Sequence, residues 1–101
     1  MEREEIIRIL VYIKRAGISV KELKLMTGVK EYTGDVTSHD KLAAVLELYR
    51  ILRFLESKVH KDPAYLLRVP FRMFDDLSPI SLCRKNRERI FHIVALFDSI
   101  L

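Results

Sequence analysis

The sequence predicts an all-α fold, a small helical bundle of about six or seven helices in one compact unit. Half of the 101 residues are hydrophobic, and in the longer segments they recur at the spacing of one helix face. Helix-capping residues and stop glycines separate these segments. All three prolines lie within residues 62–82, between strongly helical stretches, which places the main irregular connection there.

Composition narrows the class of protein. A single domain of this length buries roughly 65% of the surface that its unfolded chain exposes, so it needs no disulfide framework. The only cysteine, Cys83, has no partner and is predicted to be a small buried apolar residue in a reducing compartment. No apolar run approaches the ~18 residues of a membrane span, and the first residues are acidic. We therefore expect a cytoplasmic protein with no membrane partner.

The first two helices have clear boundaries in the sequence. Apolar residues recur over residues 2–16, and Gly17 is predicted to end that helix. Ser19 and Glu22 have the spacing of a capping box, and Gly28 supplies a left-handed stop for a second, short helix. Two short helices joined through a glycine are typical of the start of a helix-turn-helix.

Such a unit recognises a DNA sequence only if a third helix follows. That helix needs about two exposed turns whose side chains contact the base edges. The residues after Val29 are too few and too rich in turn formers, so that residues 30–32 are expected to hold one turn at most. Residues 1–38 are thus predicted to be a degenerate helix-turn-helix-like part that serves as a scaffold. A small DNA-binding transcriptional regulator is the alternative, with Lys21 and Lys30 as its candidate contacts.

The longest helix is predicted from a cap at Thr37 or Ser38 to about Val59. Its apolar stripe consists of Leu42, Val45, Leu46, Tyr49, Leu52, Phe54, Leu55 and Val59. Leu48 and Ile51 widen the apolar surface beyond one narrow face. Such a helix must be covered on more than one side, by the rest of the domain or by a second subunit, so a non-catalytic dimerisation module is a further alternative.

Two proline signals bound the next segment. Asp62 and Pro63 predict a cap and first position for a short helix over residues 64–68, which must stop before Pro70. Ser78 and Pro79 repeat this start signal for another short helix. The irregular segment between them, residues 69–77, carries large apolar side chains that must fold inward or meet a partner: Val69, Phe71, Met73, Phe74 and Leu77. A last helix is predicted from about residue 86 to the end.

The order of features from the long helix onward is specific in spacing. It comprises an aromatic-leucine pair, an extended link, a large apolar residue, a turn, a Ser-Pro helix start and a closing helix: Tyr65, Leu66, Val69, Pro70, Phe74, Asp75, Asp76, residues 78–82, Arg89, Ile90, Ile93, Phe97 and Ile100. Residues 40–101 thereby resemble the toxin-binding domain of the Xre/MbcA/ParS antitoxins. That family has W-L, an Asn-Pro-like link, G-x-[ST]-P-x-x-L and a helix that begins with R-V. Residues 39–101 are assigned to this part.

The resemblance implies an antitoxin that binds a cognate toxin of the RES type, an enzyme that consumes NAD, and covers its active site with the C-terminal helix. Phe97, Ile100 and Leu101 would be the inserted apolar end, and the Leu101 carboxylate would meet cationic groups of the toxin. A charged rim would assist the encounter: Arg84, Lys85, Arg87 and Arg89. The expected assembly is a homodimer or a hetero-oligomer with the toxin.

Catalysis by the chain itself is not expected. The three histidines match no metal-binding spacing, and with only three glycines there is no phosphate-cradling loop. Asp75 and Asp76 are neighbouring carboxylates of the kind that usually form a solvated turn. The sequence therefore predicts a protein that is not an enzyme, with no catalytic residue, metal or cofactor.

Overall fold

The computed structural model describes residues 1–33, 36, 38–60 and 62–101, and these residues form six α-helices and two 3₁₀ helices. The α-helices are α1 (Arg3–Arg15), α2 (Val20–Thr27), α3 (His39–Lys58), α4 (Pro63–Arg68), α5 (Pro79–Lys85) and α6 (Ile93–Asp98). The first 3₁₀ helix is Arg72–Phe74 and the second is Arg87–His92. No strand occurs among the described residues, and the prediction of an all-α fold is confirmed.

Local signals in the sequence set the ends of α1 and α2. Gly17 follows α1 with a φ of 97°, and Gly28 ends α2 with a φ of 82°, a conformation that favours glycine. The Glu22 amide donates to the Ser19 hydroxyl oxygen at 3.1 Å, and the Ser19 amide donates to the Glu22 carboxylate at 2.9 Å. The predicted capping box is therefore present.

The described residues between α2 and α3 contain no helix, in line with the predicted lack of a reading helix. Ser38 caps α3, as its hydroxyl accepts from the Lys41 amide at 3.5 Å. Thr37, the other predicted cap, lies outside the described residues.

Helix α3 lies at the centre of the bundle and contacts α1, α2, α4, α6 and the second 3₁₀ helix. Its buried residues are Ala44, Val45, Leu48, Ile51, Leu52 and Leu55. The buried face of α3 differs from the predicted apolar stripe. Leu48 and Ile51 are fully buried, whereas three residues of the stripe are only half-buried: Leu42, Tyr49 and Phe54. Because helices cover α3 on several sides, its buried arc is wider than a single seam.

The proline-bounded connection folds inward. The Phe71 amide donates to the Leu77 carbonyl at 3.1 Å, and these two residues form an isolated antiparallel bridge. The 3₁₀ turn between them carries Phe74 into the core, where it is 1% exposed. Phe71, Phe74 and Phe97 pack edge to face, with ring centroids 5.3 to 5.9 Å apart. This aromatic cluster fixes the connection to the last helix.

The prediction of one continuous last helix was wrong. The Asn86 side chain accepts from the Glu88 amide at 3.1 Å and starts the second 3₁₀ helix, which α6 then continues. Ile90 of the 3₁₀ helix and Ile93, the first residue of α6, are both fully buried. Phe91 stays 45% exposed.

The buried hydrophobic residues form one cluster that includes side chains from all six α-helices. Helix α2 packs against α5 and the second 3₁₀ helix as well as against α3. The N-terminal part (residues 1–38) and the C-terminal part (39–101) therefore share one core. Within the described ranges, no helix combines the length and apolar character needed to cross a bilayer.

An ion pair also joins the two parts. The Arg68 guanidinium donates two hydrogen bonds of 2.7 Å to the Glu22 carboxylate and one of 2.5 Å to the Gly17 carbonyl. The hydrogen bonds from Arg68 hold the pKa of the Glu22 carboxyl below its usual value. A carboxyl with a lowered folded-state pKa stabilises the fold above its unfolded pKa and loses this contribution as the pH falls.

We expect Glu22→Gln to lower the free energy of unfolding by about 1 kcal/mol at pH 7, because the pair is partly exposed to solvent. Glutamine keeps a carbonyl oxygen for the capping box but loses the charge. The difference between variant and wild type should shrink as the pH falls below about 4.5, because the unfolded wild type then takes up a proton at Glu22 and the folded protein does so only at a lower pH. Urea unfolding from pH 3 to 7 measures this, and a difference independent of pH would show that the charge is unimportant.

Candidate binding surfaces

The structure separates the residues implied by the antitoxin resemblance. The four residues of the charged rim are exposed at the end of α5 and in the second 3₁₀ helix: Arg84, Lys85, Arg87 and Arg89. Ile100 is 58% and Leu101 45% exposed. Phe97 is only 2% exposed and lies in the aromatic cluster, so in this structure it cannot be part of an insertable apolar end. Its ring instead fills the space between α6 and the proline-bounded connection.

An apolar surface remains beside the chain's last residues. Phe71, Arg72, Met73 and Ile100 line a shallow cleft of about 380 Å³, which we call the C-terminal patch. Phe71 and Met73 belong to the segment whose side chains were expected to fold inward or meet a partner, but they were not among the predicted toxin-binding residues. Large apolar side chains in an irregular segment indicate either burial or binding. Both side chains are half-buried, so each packs on the core with one part and lies exposed in the cleft with the other.

The backbone holds this patch in place. The amides of Ile100 and Leu101 donate to the Phe97 carbonyl at 3.1 and 2.9 Å. The Phe97 side chain is in turn anchored against Phe71 and Phe74. The backbone of the exposed apolar end is thus bonded to a buried residue, which reduces the conformational entropy lost when a partner covers it.

A second surface brings together two predicted sets of residues. Lys21 and Lys24 of α2 face Arg84 and Arg87 across a cleft of about 420 Å³, which we call the basic cleft. Its lining is completed by two further residues, Leu25 and Cys83. Lys21 was predicted to contact DNA, whereas the two arginines were assigned to the toxin rim.

Other predicted residues lie elsewhere. Lys30, Lys85 and Arg89 are exposed but do not line the basic cleft. Lys24 was missed by the sequence analysis, although its spacing of three residues from Lys21 places both on one helix face. The approach of Arg84 and Arg87 had no signal in the sequence, because it depends on how α5 packs against α2.

Cys83 is predicted to be unreactive in the folded protein. It is 2% exposed, and burial raises the pKa of its thiol to about 12. Since the thiolate is the reactive form, we expect almost no reaction with a disulfide reagent at pH 8 under native conditions and one full equivalent in 6 M guanidinium chloride. Rapid stoichiometric reaction of the native protein would contradict the burial.

Among the described residues, no group of three or more His, Cys, Asp and Glu side chains is arranged to hold a metal ion. No family model matches the sequence, and no characterised protein or solved structure shows significant similarity to the chain. The resemblance to antitoxins thus rests on the residues themselves, and the two surfaces carry the functional interpretation.

Proposed function

We propose that this chain is a non-catalytic antitoxin that binds and neutralises a RES-type, NAD-consuming toxin through its C-terminal patch. The observation that carries the proposal is an exposed apolar end, Ile100 and Leu101, whose backbone is hydrogen-bonded to Phe97 beside the largely apolar C-terminal patch. Adjacent exposed apolar side chains on an ordered surface are typical of a protein-binding site.

The geometry of the connection supports the resemblance. The family has glycine at the position of Asp76, and here Asp76 has a φ of 62°, in the region that favours glycine. Val69 is extended with a ψ of 147°, as the residue before Pro70 requires. The Ser78 hydroxyl accepts from the Ser81 amide at 3.1 Å and starts α5. These three local conformations are compatible with the family motif and support the proposal, whereas Tyr65 stands where the family has tryptophan.

The exposed basic residues of α5 and the second 3₁₀ helix suit a supporting role. Long, solvated cations attract an acidic partner over a distance and raise the rate of encounter more than the final affinity. The affinity would come from burial of the apolar end, because a few well-packed apolar contacts dominate most interfaces. We therefore assign recognition at close range to the C-terminal patch.

The proposal is tested by co-purification of the tagged chain with the product of its neighbouring gene. We expect a complex that survives gel filtration at micromolar concentration and whose captured protein consumes NAD when it is released. Failure of the two purified proteins to associate at 10 μM and 0.1 M salt would reject a cognate pair.

A further inference from the structure

The basic cleft is lined by four cationic side chains and by no acidic residue among those described. Within the described part of the chain, Lys21, Lys24, Arg84 and Arg87 form no ion pair, and no described residue lining the cleft is acidic. The Glu22 carboxylate, next to Lys21 in sequence, is occupied by Arg68.

The other nearby acidic residues belong to a neighbouring groove. Glu88 and Asp40 line that groove together with Arg87, which stands between it and the basic cleft. Arg87 is thus close to carboxylates on its other side. Four like charges that line one cleft favour an anionic ligand.

The Arg87 side chain lies against the end of α2. A Cβ atom at Gly28 would lie 2.7 Å from a terminal guanidinium nitrogen of Arg87 and 3.5 Å from Cε of Lys41. Glycine therefore lets the guanidinium approach the C-terminal end of α2, where the helix dipole favours a cation. Lys41 brings a fifth positive charge to the same edge.

We propose that the basic cleft binds the phosphate backbone of duplex nucleic acid. Lysine is depleted in protein interfaces, yet lysine and arginine together are the usual contacts to phosphates. No described residue lining the cleft is aromatic, so it offers no platform on which unpaired bases could stack, which favours a duplex over a single strand. No helix follows α2 among the described residues before α3. We therefore expect binding to depend on the charge and shape of the duplex and not on its base sequence.

The site differs from a helix-turn-helix contact in its composition. Lys21 and Lys24 come from the N-terminal part, whereas Arg84 and Arg87 come from the C-terminal part. Binding of a duplex should therefore need the whole folded chain. The inference rests on the charges of the cleft and is independent of the proposed antitoxin function, so either can fail alone.

Fluorescence anisotropy with a labelled 20-base-pair DNA duplex, in 25 to 200 mM KCl, tests the proposal. Contact with about four phosphates predicts that the logarithm of the association constant falls with the logarithm of salt concentration at a slope of about −3.6. The double variant Lys21→Gln/Arg84→Gln should reduce this slope to about −1.8 and weaken binding roughly sixty-fold at 0.1 M salt. Circular dichroism checks that its helix content is unchanged.

The matched control is Arg8→Gln/Lys58→Gln, which removes the same charge from exposed side chains outside the cleft. Its salt slope should stay within about 0.5 of the wild-type value. Equal losses in both double variants would overturn the proposal, as would no binding of the wild type at 25 mM KCl. Equal affinity for a single strand would overturn the assignment to a duplex. A cleft variant that binds the duplex normally but loses a protein partner would assign the cations to that partner instead.

Discussion

Replacement of Phe97 by alanine is expected to lower the free energy of unfolding by about 3–5 kcal/mol. Phe97 is 2% exposed, and its ring contacts Phe71 and Phe74 at centroid separations of 5.3 and 5.4 Å. Alanine would remove both aromatic contacts and leave a cavity that the rigid, proline-bounded connection cannot easily fill. Since small domains are stable by only about 5–15 kcal/mol, the variant should lose a large share of its stability.

Phe91→Ala is the matched control. Phe91 lies in the neighbouring 3₁₀ helix and is 45% exposed, so the same chemical change should cost less than about 1 kcal/mol. Urea unfolding followed by circular dichroism measures both variants. If Phe97→Ala proved as stable as Phe91→Ala, the ring would not be a core residue, and its direct insertion into a partner would return as the better interpretation.

The double variant Ile100→Asp/Leu101→Asp should weaken binding to the co-purified toxin at least about a hundred-fold. Charges placed in a desolvated apolar contact lose both the burial energy and the hydration of the carboxylates. Both side chains are about half exposed in the free chain, so the free energy of unfolding should change by less than about 1 kcal/mol. Titration calorimetry measures the affinity.

Val11→Asp supplies the comparison for this variant. Val11 is an exposed apolar side chain of α1, 39% accessible, that does not line the C-terminal patch. We expect its affinity for the toxin to stay within about three-fold of the wild-type value. A similar loss in Val11→Asp, or none in the double variant, would place the contact surface elsewhere.

The elements that could be predicted from sequence are those set by local chemistry. Ser19 and Glu22 cap α2 through their own side chains, and Gly28 ends it because of its conformational freedom. Asp62 and Ser78 each start a helix with proline at its first turn. Such signals act over about four residues and need no knowledge of the rest of the chain.

The features that could not be predicted depend on tertiary packing. Helical periodicity placed Phe97 on an apolar face but could not tell whether the core or solvent would cover it. The same pattern could not show that residues 87–92 tighten into a 3₁₀ helix, because residues three apart share a face in both kinds of helix. The basic cleft arises only when α5 packs on α2.

The rate of NAD consumption by the purified toxin, titrated with this chain, tests the central claim most directly. The proposed function predicts that the rate falls to near zero at a one-to-one ratio, and that Ile100→Asp/Leu101→Asp leaves the toxin active at the same ratio. A toxin that forms a stable complex with the chain and still consumes NAD at its full rate would contradict neutralisation.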